Sequence, residues 1–167
     1  MTSNDMPSKK QTGNRCEHLV VSRLLKPGPG MHGEPLFNPA LLGSDWPTLD
    51  IYVELEGSFR QLKPFFFIQV KGTVRGRDPL TSDLRVQLSA QHMRRLLDLP
   101  APTYLVGVDS RTEEMFIRSI HDRTSDSVAS LRTTYPLDYP TMQMVHQDVL
   151  AFWQSFGRKP VISNVTV

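Results

Sequence analysis

Ile51, Val53 and Leu55 alternate with Asp50, Tyr52, Glu54 and Glu56 in "TLDIYVELEG". A period of two predicts a β-strand with one buried and one polar face. "GSFRQLK" reads as a turn and the start of a second strand. "PFFFIQVKG" continues that strand, apolar on both faces until Gln69 and Lys71, and pairs with the first as a hairpin. Its apolar part, residues 65–68, is expected to be buried on both sides. "VQLS" is a short third strand. Ser89 then caps a helix, "AQHMRRLLDL", with Met93, Leu96 and Leu97 on one face, and Pro100 and Pro102 end it. "TYLVGVDS" and "EMFIRSI" predict two more strands joined by the turn "SRTE".

Helical spacing frames these strands. In "NRCEHLVVSRLL", Cys16, Leu19, Val20 and Leu24 fall near one helix face, and Asn14 with Glu17 fits a capping box. The helix stops before "KPGPG". Residues 28–47, rich in Gly and Pro, are expected to form a long loop, and residues 123–140 another. In "TMQMVHQDVLAFWQSFG", Val145, Val149, Phe152, Trp153 and Phe156 form the apolar stripe of a last helix over about 141–156, capped by Thr141 and ended by Gly157. The order is helix, three strands, helix, two strands, helix. It predicts an α/β (α+β) domain with a mixed central sheet flanked by helices.

Composition narrows the class. The chain has 167 residues, 39% hydrophobic and 22% charged, which suits a single packed domain. Residues 1–13 and 158–167 read as flexible tails around a domain of residues 14–157. The single cysteine, Cys16, excludes an internal disulfide and a Cys-rich zinc site, and fits a reducing, cytoplasmic setting. No apolar run approaches the ~20 residues of a membrane helix, and the polar first residues lack the apolar centre of a signal peptide. The net charge of +2 says little, but its distribution is uneven. Residues 71–95 carry six basic side chains against two acidic ones, whereas residues 96–122 carry two basic against five acidic. A local basic excess is what a polyanion partner needs, although charge alone also fits an ordinary solvated surface.

The polar residues that interrupt these patterns are Glu17 on the first helix, Asp50 at the start of the first strand, and Gln69 and Lys71 at the end of the second. Gln69 and Lys71 are two apart, so they project from one face. Hairpin pairing can bring Asp50 beside them. An acidic group, an amide oxygen and a lysine would then share one end of the sheet. The five histidines have no metal-ligand spacing.

That order resembles the PD-(D/E)XK nuclease superfamily: a helical Glu, an Asp at the start of a strand, then an acidic residue or Gln, any residue, and Lys on the next strand. It is most similar to the bacterial family catalogued as domain of unknown function 4365. The similarity lies in Asn14, Arg15 and Glu17, in the "D-I-x-V-E" strand, in "QVKGT" and in "PAPTYLVGVD", over about residues 14–122. The resemblance implies a restriction-endonuclease-like core and metal-dependent hydrolysis of phosphodiester bonds, in bacterial DNA processing or anti-phage defence. It implies Mg²⁺ or Mn²⁺ on Asp50, Gln69, the Val70 carbonyl and Glu17, all hard oxygen ligands. Lys71 would supply a fixed cation for the attacking hydroxide or the scissile phosphate. Gln69 departs from the commoner acidic residue and removes one negative charge from the site. Arg75, Arg77, His92, Arg94 and Arg95, with Thr73, are the candidate nucleic-acid contacts. DNA is the expected partner, with a homodimer or a larger defence-type complex as the form of assembly. The other reading is a catalytically silent module that binds nucleic acid or a protein on the same fold.

Overall fold

The computed structural model describes residues 9–29, 33–43, 46–57, 62–121 and 128–156. The expected tails over residues 1–8 and 158–167, the stop at Gly157 and residues 58–61 of the hairpin turn lie outside this set. Eight elements follow in order: α1 (Lys9–Leu24), β1 (Phe37–Leu41), β2 (Ile51–Leu55), β3 (Phe65–Thr73), α2 (Ala90–Leu97), β4 (Thr103–Asp109), β5 (Met115–Ser119) and α3 (Tyr139–Phe156). One mixed sheet has the order β1-β2-β3-β4-β5. Only β3 and β4 are parallel; the other neighbours are antiparallel.

Helices flank both faces of the sheet. Cys16, Val20 and Leu24 of α1 and Met142, Val145 and Val149 of α3 share a core with Ile51, Val53, Phe66, Ile68 and Val70. Met93 and Leu96 of α2 share the opposite core with Leu49, Leu84, Val86 and Leu105. β4 lies between the two cores and all seven of its residues are buried, as expected of a strand covered on both faces. β2 is covered on one face and alternates accordingly. Phe66 is fully buried, edge-on to Phe37 and Tyr104 at 5.3 and 5.5 Å. Burial of that one ring contributes about 3 kcal/mol to holding β3 in place.

Four expectations are corrected. α1 starts at Lys9, so residues 9–13 are helical rather than tail, and Asn14 lies inside the helix instead of capping it. Residues 37–41 of the expected loop form an edge strand, β1, where Pro39 is tolerated because an edge leaves one side unpaired. "VQLS" is no strand of the sheet: its Leu88 makes only an isolated bridge, to Val128. Three strands still precede α2, but they are a different three. Finally, the capping expected of Thr141 falls to Asp138, whose carboxylate accepts from the Thr141 amide at 3.0 Å.

β3 also differs from its expected burial. Phe66 and Ile68 are buried, but Phe65 and Phe67 are half-exposed. Phe67 packs at the margin of the α2-side core, and an aromatic cluster covers the rest. Tyr52 stacks beside Phe65 and Phe67, and Trp153 packs on Phe65 at 4.5 Å while its Nε1 donates to the Phe65 carbonyl at 2.7 Å.

Candidate active site

The candidate site sits where β2 stops and β3 continues. Ile51, the first residue of β2, pairs with Ile68, so Gln69–Thr73 has β4 on one side and no strand on the other. The Asp50 amide closes the last rung, donating to the Ile68 carbonyl at 3.1 Å. Its side chain then takes over from the missing strand. Asp50 Oδ2 accepts from the Val70 amide at 2.6 Å, a main-chain donor that β2 no longer reaches. An unpaired N–H is costly in this setting, so the carboxylate has a structural reason to be there.

Gln69, only 4% exposed, completes the arrangement. Its Nε2 donates to Asp50 Oδ2 and, at 3.1 Å, to the Val70 carbonyl. Both partners are acceptors, which fixes the amide with its nitrogen inward. Two oxygens thus converge on one amide nitrogen, while Gln69 Oε1 and Asp50 Oδ1 have no hydrogen-bond partner among the described residues.

The charged residues approach from both faces. Lys71 shares the Gln69 face by strand alternation and pairs in register with Gly107. Glu17 comes from α1 on the other side, where the bare Cα of Gly72 lets Cys16 sit against the strand: a Cβ there would lie 2.5 Å from the Cys16 sulfur. Burial pushes the Glu17 carboxyl above its ordinary value, the Asp50 charge pushes the same way, and His18 and Lys71 oppose both. Burial also pushes the Asp50 carboxyl up, against the Val70 amide, Lys71, Gln69 and His92. Lys71 therefore acts on both carboxyls, and His92, in the first turn of α2, acts on Asp50 through charge alone. Ser89 orients His92: its Oγ accepts from the His92 amide at 3.3 Å and lies 3.0 Å from Nδ1.

Among the described residues, no group of three or more His, Cys, Asp and Glu side chains is arranged to hold a metal ion. A cation here would rest on oxygens of mixed origin: the Asp50 and Glu17 carboxylates, the Gln69 amide oxygen and the Val70 carbonyl. Such a set fits a hard divalent ion that keeps water and phosphate among its ligands, as Mg²⁺ does. Two carboxyls held above their usual range are also what a nearby cation would relieve.

The remaining expected residues divide. Arg75, Arg77, Arg94 and Arg95 are exposed. Arg77 pairs with Glu114 at 2.5 Å and lies 4.9 Å over the Phe116 ring. Thr73 is buried and its Oγ1 accepts from the Arg75 amide at 3.1 Å, a turn role. Glu54 shares the Asp50 face, but it pairs with Phe65 at the far end of β2 and accepts from Tyr52 Oη at 2.9 Å, so it does not join the site. Arg15 anchors α1 to the β4–β5 turn through the Ser110 carbonyl and Glu113, at 3.3 and 2.6 Å. Sequence spacing did not reveal the Val70 amide on Asp50 or the charge of His92 acting on it. The Ser89 cap three residues before His92 was the one available signal. A separate groove of about 510 Å³ lies by the start of β4, between Pro102, Tyr104, His121 and Phe152, and none of the site residues lines it.

No protein-family profile matches the chain, and no curated protein does. The expected tie to domain of unknown function 4365 therefore has no support from these comparisons. Among solved structures, the chain is similar to a bacterial homing endonuclease, I-Ssp6803I, with a TM-score of 0.57 and 15% identity. The match covers 90% of this chain and 99% of that one. At this identity the likeness is one of fold: a mixed five-stranded sheet with flanking helices, nuclease-like in architecture.

Proposed function

We propose that the chain is a divalent-metal-dependent nuclease acting on DNA. One observation carries the reading: at the open edge of β3, Asp50, Gln69 and the Val70 carbonyl converge, with Glu17 and Lys71 in electrostatic reach. The nuclease-like fold supports it.

In this reading Asp50, Gln69 and the Val70 carbonyl hold Mg²⁺ or Mn²⁺, and Glu17 contributes directly or through water. The bound ion supplies charge neutralisation at the phosphate and a more acidic water. Lys71 holds the attacking hydroxide or a phosphate oxygen and stabilises the charge that develops there. The Asp50–Val70 hydrogen bond orients the carboxylate, and burial of Gln69 keeps its amide in place. Arg75, Arg77, Arg94 and Arg95 are exposed, and in this reading they contact phosphates. Anti-phage defence or DNA processing is the biological setting this activity suggests.

One observation favours a second reading, a silent binding module. The Gln69 amide already donates to Asp50 Oδ2 and to the Val70 carbonyl without a cation. Cleavage assays with Mg²⁺ and Mn²⁺ separate the two. The nuclease reading expects metal-dependent cutting that Asp50→Ala and Lys71→Ala abolish while circular dichroism and Tm show a retained fold. Absence of cutting with every divalent ion, alongside salt-sensitive DNA binding, selects the silent module.

A further inference from the structure

Residues 77–84 form a short hairpin, closed at its root by an Arg77–Leu84 bridge. At its tip Leu80 is 94% exposed. A lone exposed leucine is common on protein surfaces. This one differs in how firmly the backbone beneath it is built.

The Asp78 carboxylate is the keystone. Oδ1 accepts from the amides of Leu80 and Thr81 at 2.9 and 3.3 Å, and Oδ2 accepts from Arg85 Nε and Nη2 at 3.2 and 2.9 Å. Across the hairpin, the Asp78 amide donates to the Asp83 carbonyl at 2.7 Å and the Ser82 amide to the Asp78 carbonyl at 2.8 Å. Ser82 takes a left-handed φ of 61°, unusual for a residue with a side chain. The turn is thus held entirely by polar bonds. The Leu80 side chain takes no part in them, and folding gains nothing from presenting it to water.

The root ties the hairpin to the candidate site. Leu84 and Val86 pack over Gly107, whose missing Cβ would otherwise lie 2.8 Å from Leu84 and 3.4 Å from Val86. Gly107 is the register partner of Lys71, so the hairpin rises from the Lys71 face of the sheet, one strand away. Residues 79–81 are a tight turn, so the tip stands close above this root. Arg75, Arg77 and Arg85 are exposed around its base. The Arg77–Glu114 ion pair involves side chains about 40% exposed, so phosphate can replace that carboxylate at little cost.

We propose that Leu80 is a wedge that enters a base step of duplex nucleic acid lying across the candidate site. This deepens the DNA-binding part of the nuclease reading and rests on it. A single apolar side chain on a stiff tip, with cations at its foot, is the arrangement that unstacks a base step from the groove. A protein partner would call for further apolar side chains around it. Here the neighbours at the tip are Pro79, Thr81 and Ser82, all exposed.

The test uses the full chain in EDTA, so that nothing is cut, with duplexes carrying 2-aminopurine at successive positions. Wild type should raise the fluorescence several-fold at a confined position. Leu80→Ala should return it to the free-duplex level and weaken binding several-fold. Its salt dependence should be unchanged, because the phosphate contacts remain. Leu80→Phe should keep the signal. Tm should be the same in all three, since the side chain touches nothing. A Leu80→Ala protein that unstacks the duplex as wild type does overturns the proposal. So does a wild type that binds no duplex, which would assign the tip to a protein partner. Binding and unstacking without cleavage in Mg²⁺ or Mn²⁺ sinks the nuclease reading and leaves the wedge. Cleavage without unstacking does the reverse.

Discussion

Gln69→Glu tests how the open edge of β3 is held together without a cation. Gln69 is 4% exposed, and its Nε2 donates to Asp50 Oδ2 and to the Val70 carbonyl. A glutamate offers oxygens where two acceptors already sit. Left ionised, it meets the Asp50 charge across about 4 Å, which at an effective dielectric constant near 20 costs about 4 kcal/mol. The escape is to protonate one carboxyl. Neutralising an ordinary glutamic acid at pH 7 costs nearly the same, about 3.7 kcal/mol. Its O–H then restores one of the two hydrogen bonds. The expected loss at pH 7 in EDTA is therefore about 4 kcal/mol, which for a domain of this size lowers Tm by roughly 8–16 °C. At pH 5 protonation is cheap, and the loss should shrink to about 1 kcal/mol. Thermal unfolding by circular dichroism at both pH values reads this directly. Mn²⁺ should then raise the Tm of the variant far more than that of wild type, because the extra carboxylate gains a cation the amide does not need. If Gln69→Glu unfolds with wild type in EDTA at pH 7, or loses the same amount at pH 5, the amide is not what holds the two oxygens together.

Two further outcomes follow from the packing. Gly72→Ala places a methyl 2.5 Å from the Cys16 sulfur, forcing α1 off the sheet. It should cost about 1–3 kcal/mol in denaturant unfolding, and much less in a Cys16→Ala background; equal costs in both backgrounds would exclude this contact as the cause. Burial holds the His146 imidazole below its ordinary pKa, so the folded chain favours the neutral ring. The unfolded chain then binds the proton more readily, and stability is lost as pH falls through the ordinary histidine range. Tm should drop between pH 7.5 and 5.5, with a shallower drop in His146→Gln; identical slopes would remove His146 from the account.

Much of the fold is legible in the chain because strong periodicity survives tertiary packing. β2 alternates, β4 is continuously apolar, and Ser89 caps α2 as its side chain suggests. β1 was not legible. "FNPAL" has no alternation and a central proline, and it is a strand because β2 offers it an edge. The early start of α1 was hidden for a related reason: its first turns bury little, so they leave no apolar stripe to read.

The candidate site divides along the same line. Strand alternation places Gln69 and Lys71 on one face, and hairpin pairing brings Asp50 beside Gln69. These depend on residues close in sequence, so the chain determines them locally. The open edge of β3 is different. It exists because β2 begins opposite Ile68 while β3 runs on to Thr73 beside β4. Where one strand stops along another depends on pairing between distant segments, and no local pattern encodes it. Only that mismatch frees the Val70 amide for Asp50. The sequence supplies the oxygens and the lysine; the tertiary structure leaves the gap in the sheet into which they turn.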